Sequence, residues 1–106
     1  MQCRTFAGLP SLADAEGADA RTLARLKGQG DKVHEEAGEL MVAAKEYAKA
    51  VAYGSYTMED RLAMLDERAD LVQAIVNFDR VFEVTDDEAR EAQARCEFRN
   101  AQRGRY

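Results

Sequence analysis

Five acidic residues carry the chemistry this sequence can offer. Glu35, Glu36 and Glu39 form an EExxE string, and Glu67 with Asp70 forms ExxD after 27 intervening residues. On a helix, a spacing of three puts two side chains roughly 60° apart on one face, so Glu36 with Glu39, and Glu67 with Asp70, can each pinch a cation. Glu35 is turned roughly 100° from Glu36 and is the poorer ligand. Glu39, Glu67 and Asp70 have no Lys or Arg at helical contact spacing, and only Glu36 has one, Lys32, four residues earlier. Like charges at those spacings cost a few tenths of a kcal/mol each in an isolated helix, so the neutralising charge must come from elsewhere. An all-oxygen set favours Mg²⁺ or Mn²⁺. Acids at a fifth of positions also produce such pairs by chance, and on spacing alone a solvated face explains them equally well.

The neighbours of these acids are small or polar. Ala43 follows Glu39 by one turn, and Ala74 and Asn77 follow Asp70 by one and two turns, leaving room for a ligand beside the carboxylates. Asn77 offers a donor and an acceptor to a base or sugar, or it is a buried amide satisfied by a neighbouring helix.

The elements that position these residues are helices. Leu23, Leu26, Gly30, Val33, Ala37, Leu40, Ala44, Tyr47 and Val51 alternate spacings of three and four, predicting one long helix from about Asp19. Gly28 and Gly30 weaken it locally and allow a bend. Tyr53-Gly54-Ser55 stops it. Thr57 with Asp60 is a capping-box start for a helix from Met58 to about Phe82, and Thr85 with Glu88 opens a third, Asp86 to about Gln102. The second helix has two apolar stripes, Leu62, Leu65, Ala69, Val72 and Val76, and Leu71, Ile75, Phe78 and Phe82. A helix apolar on two sides needs two partners, one of which a short chain finds in another subunit. Residues 1–18 are the least informative, with Ser11 to Glu16 expected to form a short helical turn. The expected fold is all-α: a single domain over 1–106, an antiparallel bundle of three main helices plus a short N-terminal helix, completed by oligomerisation.

Composition sets outer limits. A chain of 106 residues with 46% hydrophobic and 33% charged residues is one globular domain with a modest core. No apolar run reaches the roughly 18–20 residues of a membrane span, and no signal pattern opens the chain. Fifteen basic against 20 acidic residues give a net charge of −5, which argues against general nucleic-acid binding. The charge is uneven: five Arg against Glu91 and Glu97 make Arg90–Tyr106 +3 and leave the rest −8. Cys3 and Cys96 have no metal-type spacing and read as free thiols of a reducing, cytoplasmic compartment. His34, the only histidine, points away from the Glu36/Glu39 pair, and no Glu-x-x-His motif supports a di-iron site.

The strings "KVHEEAGELMVAA" and "ERADLVQAIVN", with the four acids in order and Asn77 seven places after Asp70, resemble the two signature helices of the MazG-like all-α nucleotide pyrophosphohydrolases. The tail "RNAQRGRY" is similar to the ending of short phage-type members, and the likeness covers about residues 20–106. The resemblance implies that Glu36, Glu39, Glu67 and Asp70 hold Mg²⁺ and that a (d)NTP is cleaved between its α and β phosphates to monophosphate and pyrophosphate. In that scheme the metal activates a water. Glu35 is then the candidate for orienting or deprotonating that water, though a solvated role fits equally. Lys32 is a candidate phosphate contact or simply the partner of Glu36. Arg99, Arg103 and Arg105, on the basic tail over 99–106, could clamp the outer phosphates or merely suit the helix dipole. The resemblance also implies a dimer or tetramer. "DKVHEEAGE" further resembles phosphoribosyl-ATP pyrophosphohydrolase, which leaves that substrate open. A non-catalytic helical interaction module is the alternative of a different class.

Overall fold

The structure, a computed structural model, describes residues 20–104. It consists of three α-helices, α1 (Ala20–Ala52), α2 (Met58–Val81) and α3 (Asp86–Gln102), with no strand among the described residues. The expected turn over Ser11–Glu16 lies outside them, as do Cys3 and Arg105.

The boundaries follow from local chemistry. Gly54 takes the left-handed conformation at φ 68°, which glycine adopts without a Cβ penalty, and ends the turn after α1. At the start of α2 the Thr57 hydroxyl accepts from Asp60 N, and Asp60 Oδ2 accepts from Thr57 N at 2.9 Å. Asp therefore serves here in the place usually held by Glu or Gln. Thr85 and Glu88 repeat the device at α3. Between them Glu83 sits at φ 51°, and Val84 N donates to Asp79 O at 3.0 Å to close the end of α2. α1 runs unbroken through Gly28 and Gly30. Neither glycine breaks it, because each one's cost of about 1 kcal/mol is small within a 33-residue helix.

α1 and α2 pack along their length as an antiparallel hairpin, whereas α3 touches them sparsely. The packed faces overlap the expected apolar stripes in part. On α1 the expected Leu26, Val33, Leu40, Ala44 and Tyr47 are half-buried, as are Thr22, Gly28, Gln29, Gly38, Ala43 and Ala50; Glu36 is buried, while Leu23, Gly30, Ala37 and Val51 are exposed. On α2 Ala74 and Val81 are buried and Met64, Glu67, Leu71, Val76, Phe78 and Asp79 half-buried. An apolar-only reading of α1 passes over Gln29 and Glu36. Ala74, expected to leave ligand space, is instead part of the core at 4% exposure. The stripe from Leu62 to Val72 lies on the opposite side of α2 and is exposed.

Candidate functional site

The seam carries a carboxylate on each helix. Glu36 on α1 and Glu67 on α2 occupy positions where a heptad ordinarily places an apolar side chain. The antiparallel pairing brings them level, and Asp70 follows Glu67 by three residues. One carboxylate oxygen from each of Glu36, Glu67 and Asp70 lies within 4.8 Å of the other two. Glu36 is buried, Glu67 half-buried and Asp70 exposed, so the cluster opens from the seam to solvent.

Few donors answer these oxygens. Lys32 Nζ lies 3.0 Å from Glu36 Oε1 and 3.4 Å from Glu35 Oε1. No amide, hydroxyl or cationic group reaches the other buried oxygens, Glu36 Oε2 and Glu67 Oε2; the neighbouring Glu39 carboxyl shares a hydrogen bond with each residue. An acceptor left bare inside a protein costs about 1–3 kcal/mol, and more when charged. Among the described residues no Lys or Arg pairs with Glu39, Glu67 or Asp70.

Electrostatics within the cluster are divided. The hydrogen bond from Lys32, against a smaller opposing effect of burial, holds the Glu36 carboxyl below its ordinary range. Repulsion from Glu36, a hydrogen bond shared with it, burial, and the nearby Glu67 together hold Glu39 above its ordinary range. Glu39 therefore keeps a proton more readily than a free carboxyl does. Beside these residues is an open cleft of about 430 Å³, lined by Glu35, Gly38, Glu39, Val42, Ala43 and Glu67.

The structure sorts the candidates. Glu36, Glu67 and Asp70 form the three-oxygen cluster, and Glu39 stands in the cleft wall rather than in it. Glu35 lines the cleft with a side chain 58% exposed and tied to Lys32. Lys32 is engaged with both glutamates. Asn77 is exposed, and its Oδ1 accepts from Gln73 Nε2 at 3.0 Å, so it is not the buried amide that was one of its two readings. His34 is exposed. Arg99 flanks a separate hollow on α3 with Ala94, Arg95 and Phe98, and Arg103 caps that helix; neither lines the carboxylate cleft.

Two cleft residues went unnoticed in the sequence, Gly38 and Val42. Gly38 had a signal: a glycine inside a helix, between two candidate ligands, costs about 1 kcal/mol relative to Ala. A Cβ there would meet nothing within 4 Å, so the gap is open on the cleft side rather than filled by a neighbour. No helix among the described residues is long and apolar enough to cross a membrane. No protein-family model, curated protein or solved structure matches the chain.

Proposed function

We propose that this chain is a divalent-cation-dependent nucleotide pyrophosphohydrolase that cleaves a (d)NTP between its α and β phosphates. The observation that carries the reading is the pair of buried oxygens, Glu36 Oε2 and Glu67 Oε2, that no amide, hydroxyl or cationic group reaches, beside three carboxylate oxygens within 4.8 Å of one another. A surface cluster relaxes its charges into water, and these two oxygens are sealed from it. A hard cation with oxygen ligands is the group that satisfies them, and Mg²⁺ or Mn²⁺ fits that donor set. Such an ion supplies Lewis-acid polarisation of a phosphoryl oxygen and a bound water of lowered pKa. The resemblance of the two helices to MazG-like enzymes supports a nucleoside triphosphate as the substrate.

The chain's own residues have definable parts in this scheme. Glu36, Glu67 and Asp70 hold the ion, with Glu39 joining them once it gives up its proton. Lys32 fixes the Glu36 carboxylate by pairing with one oxygen and leaving the other for the ion. Gly38 and Ala43 keep the cleft wall low beside the carboxylates, so a bulky triphosphate can approach. Glu35, exposed at the cleft rim, orients the attacking water. Asn77 faces solvent with its amide available to a sugar or base.

The test is pyrophosphate release by the purified chain with Mg²⁺ or Mn²⁺, across the eight common (d)NTPs and phosphoribosyl-ATP. We expect turnover of at least one, abolished by EDTA and by Asp70→Ala with helical content unchanged. Absence of pyrophosphate release from all nine contradicts the reading, and turnover of phosphoribosyl-ATP alone moves it to that substrate. A non-catalytic interaction module would show no shift in melting temperature on adding cation and nucleotide together.

A further inference from the structure

We infer that the cleft beside the carboxylates receives the nucleoside of the substrate, laid on Gly38, Val42 and Ala43, while the phosphates leave the cation in the opposite direction, toward Lys32. This rests on the hydrolase reading and adds to it which part of the substrate each stretch of α1 meets.

Charge keeps the phosphates out of the cleft. Three carboxylates line it, Glu35, Glu39 and Glu67, and among the described residues no Lys or Arg does. A cation held by Glu36, Glu67 and Asp70 neutralises the phosphates it touches, but a phosphate placed farther into the cleft faces only acids and apolar wall. The other direction carries positive charge. Lys32 precedes Glu36 by one turn, roughly 6 Å along the axis, and its side chain is 55% exposed. Val42 follows Glu36 by six residues, roughly 9 Å the other way. A triphosphate anchored on the cation therefore has a cationic side and an acidic, apolar side. The first accommodates more phosphate, and the second does not.

The cleft suits what remains of the molecule. Its volume of about 430 Å³ falls in the range of roughly 300–1,000 Å³ that holds small ligands. Val42 is 56% exposed, an aliphatic side chain that the described helices leave uncovered. Gly38 stands one turn before it on the same line. Without a Cβ there, the wall between Glu35 and Val42 is bare backbone. A Cβ would meet nothing within 4 Å, so no packing neighbour among the described residues accounts for the glycine. A flat aliphatic wall fits the face of a base or the apolar side of a ribose. The carboxylates around it, acceptors when ionised, fit the hydroxyl and amino hydrogens of the same group.

Calorimetric titration of the Mn²⁺-loaded chain tests the placement, using the monophosphates of the eight common nucleosides and, separately, inorganic tripolyphosphate. The first ligands carry a nucleoside and the second does not. Gly38→Leu fills the wall with a good helix former, and should weaken monophosphate binding at least roughly 10-fold while leaving tripolyphosphate and Mn²⁺ affinity unchanged. Val42→Ala, a milder change that serves if Gly38→Leu fails to fold, should weaken the monophosphates roughly threefold with the same selectivity. Losses shared equally by the two kinds of ligand, confined to tripolyphosphate, or absent from both variants overturn the placement. If (d)NTP turnover is intact, the hydrolase reading survives those results. Binding of neither ligand by the wild-type chain also overturns the placement, and with no pyrophosphate release it takes the hydrolase reading with it.

Discussion

Two stretches of the contact between α1 and α2 treat polar groups in opposite ways. At the turn, Arg61 Nη1 donates to the Tyr47 hydroxyl at 3.3 Å, its guanidinium lies 5.9 Å from the centre of the Tyr47 ring, and Tyr56 meets that ring edge-on at 6.2 Å. Thr57 and Asp60 satisfy each other's backbone groups alongside. Farther along the same seam, Glu36 and Glu67 bring charge into the interior, each with an oxygen that no amide, hydroxyl or cationic group reaches. The stretch at the turn satisfies its polar groups within the chain, whereas the carboxylate stretch leaves two acceptor oxygens that the proposed cation would satisfy.

The comparison breaks most visibly at Glu67. Glu67→Met places an apolar side chain between Met64 and Leu71 on the seam, so it should raise the metal-free melting temperature while abolishing cation binding and turnover. The gain should be about 1 kcal/mol, roughly 4–8 °C for a chain of this size. Chemical denaturation in EDTA measures it, and a destabilised Glu67→Met would show that Glu67 already has its partners within the protein. Arg61→Ala at the other end should do the reverse. It should lower stability by roughly 0.5–1 kcal/mol, with cation affinity unchanged by titration calorimetry.

The pH dependence of the metal-free chain sharpens the contrast further. Glu39 is held above its ordinary value of 4.5, so above that value the folded chain keeps a proton the unfolded chain has lost. Its contribution is full below the ordinary value and is lost as pH rises through the folded one. Glu36 is held below its ordinary value, so its contribution is present above 4.5 and lost as pH falls through the folded one. Together these two groups give a maximum near the ordinary carboxylate value and a decline toward neutrality. Denaturation against pH in EDTA should show that decline flattened in Glu39→Gln and removed by saturating Mg²⁺.

Much of this was legible in the sequence. Thr57 with Asp60 and Thr85 with Glu88 marked two helix starts, because capping is a local contract between a hydroxyl and a backbone amide three residues on. That the acids meet was implied by the family resemblance rather than by spacing, and Glu36, Glu67 and Asp70 do lie together. The seam was legible in part: Leu26, Val33, Leu40, Ala44, Tyr47, Leu71 and Phe78 from the apolar stripes are half-buried. Gln29, Glu36 and Glu67 were not, because heptad reading weighs apolar residues and these are polar where packing asks for apolar. The arginines at the chain end were legible as charge but not as geometry, because the sparse contact of α3 with the hairpin is a tertiary fact that no local pattern encodes.

The central claim is that Glu36, Glu67 and Asp70 hold a divalent cation. Titration of Mn²⁺ into the nucleotide-free chain, with bound ion read by electron paramagnetic resonance, tests it most directly. The account predicts saturable binding with affinity reduced at least roughly 100-fold in Asp70→Ala and Glu67→Met. Weak, non-saturating association that those substitutions leave untouched would contradict it.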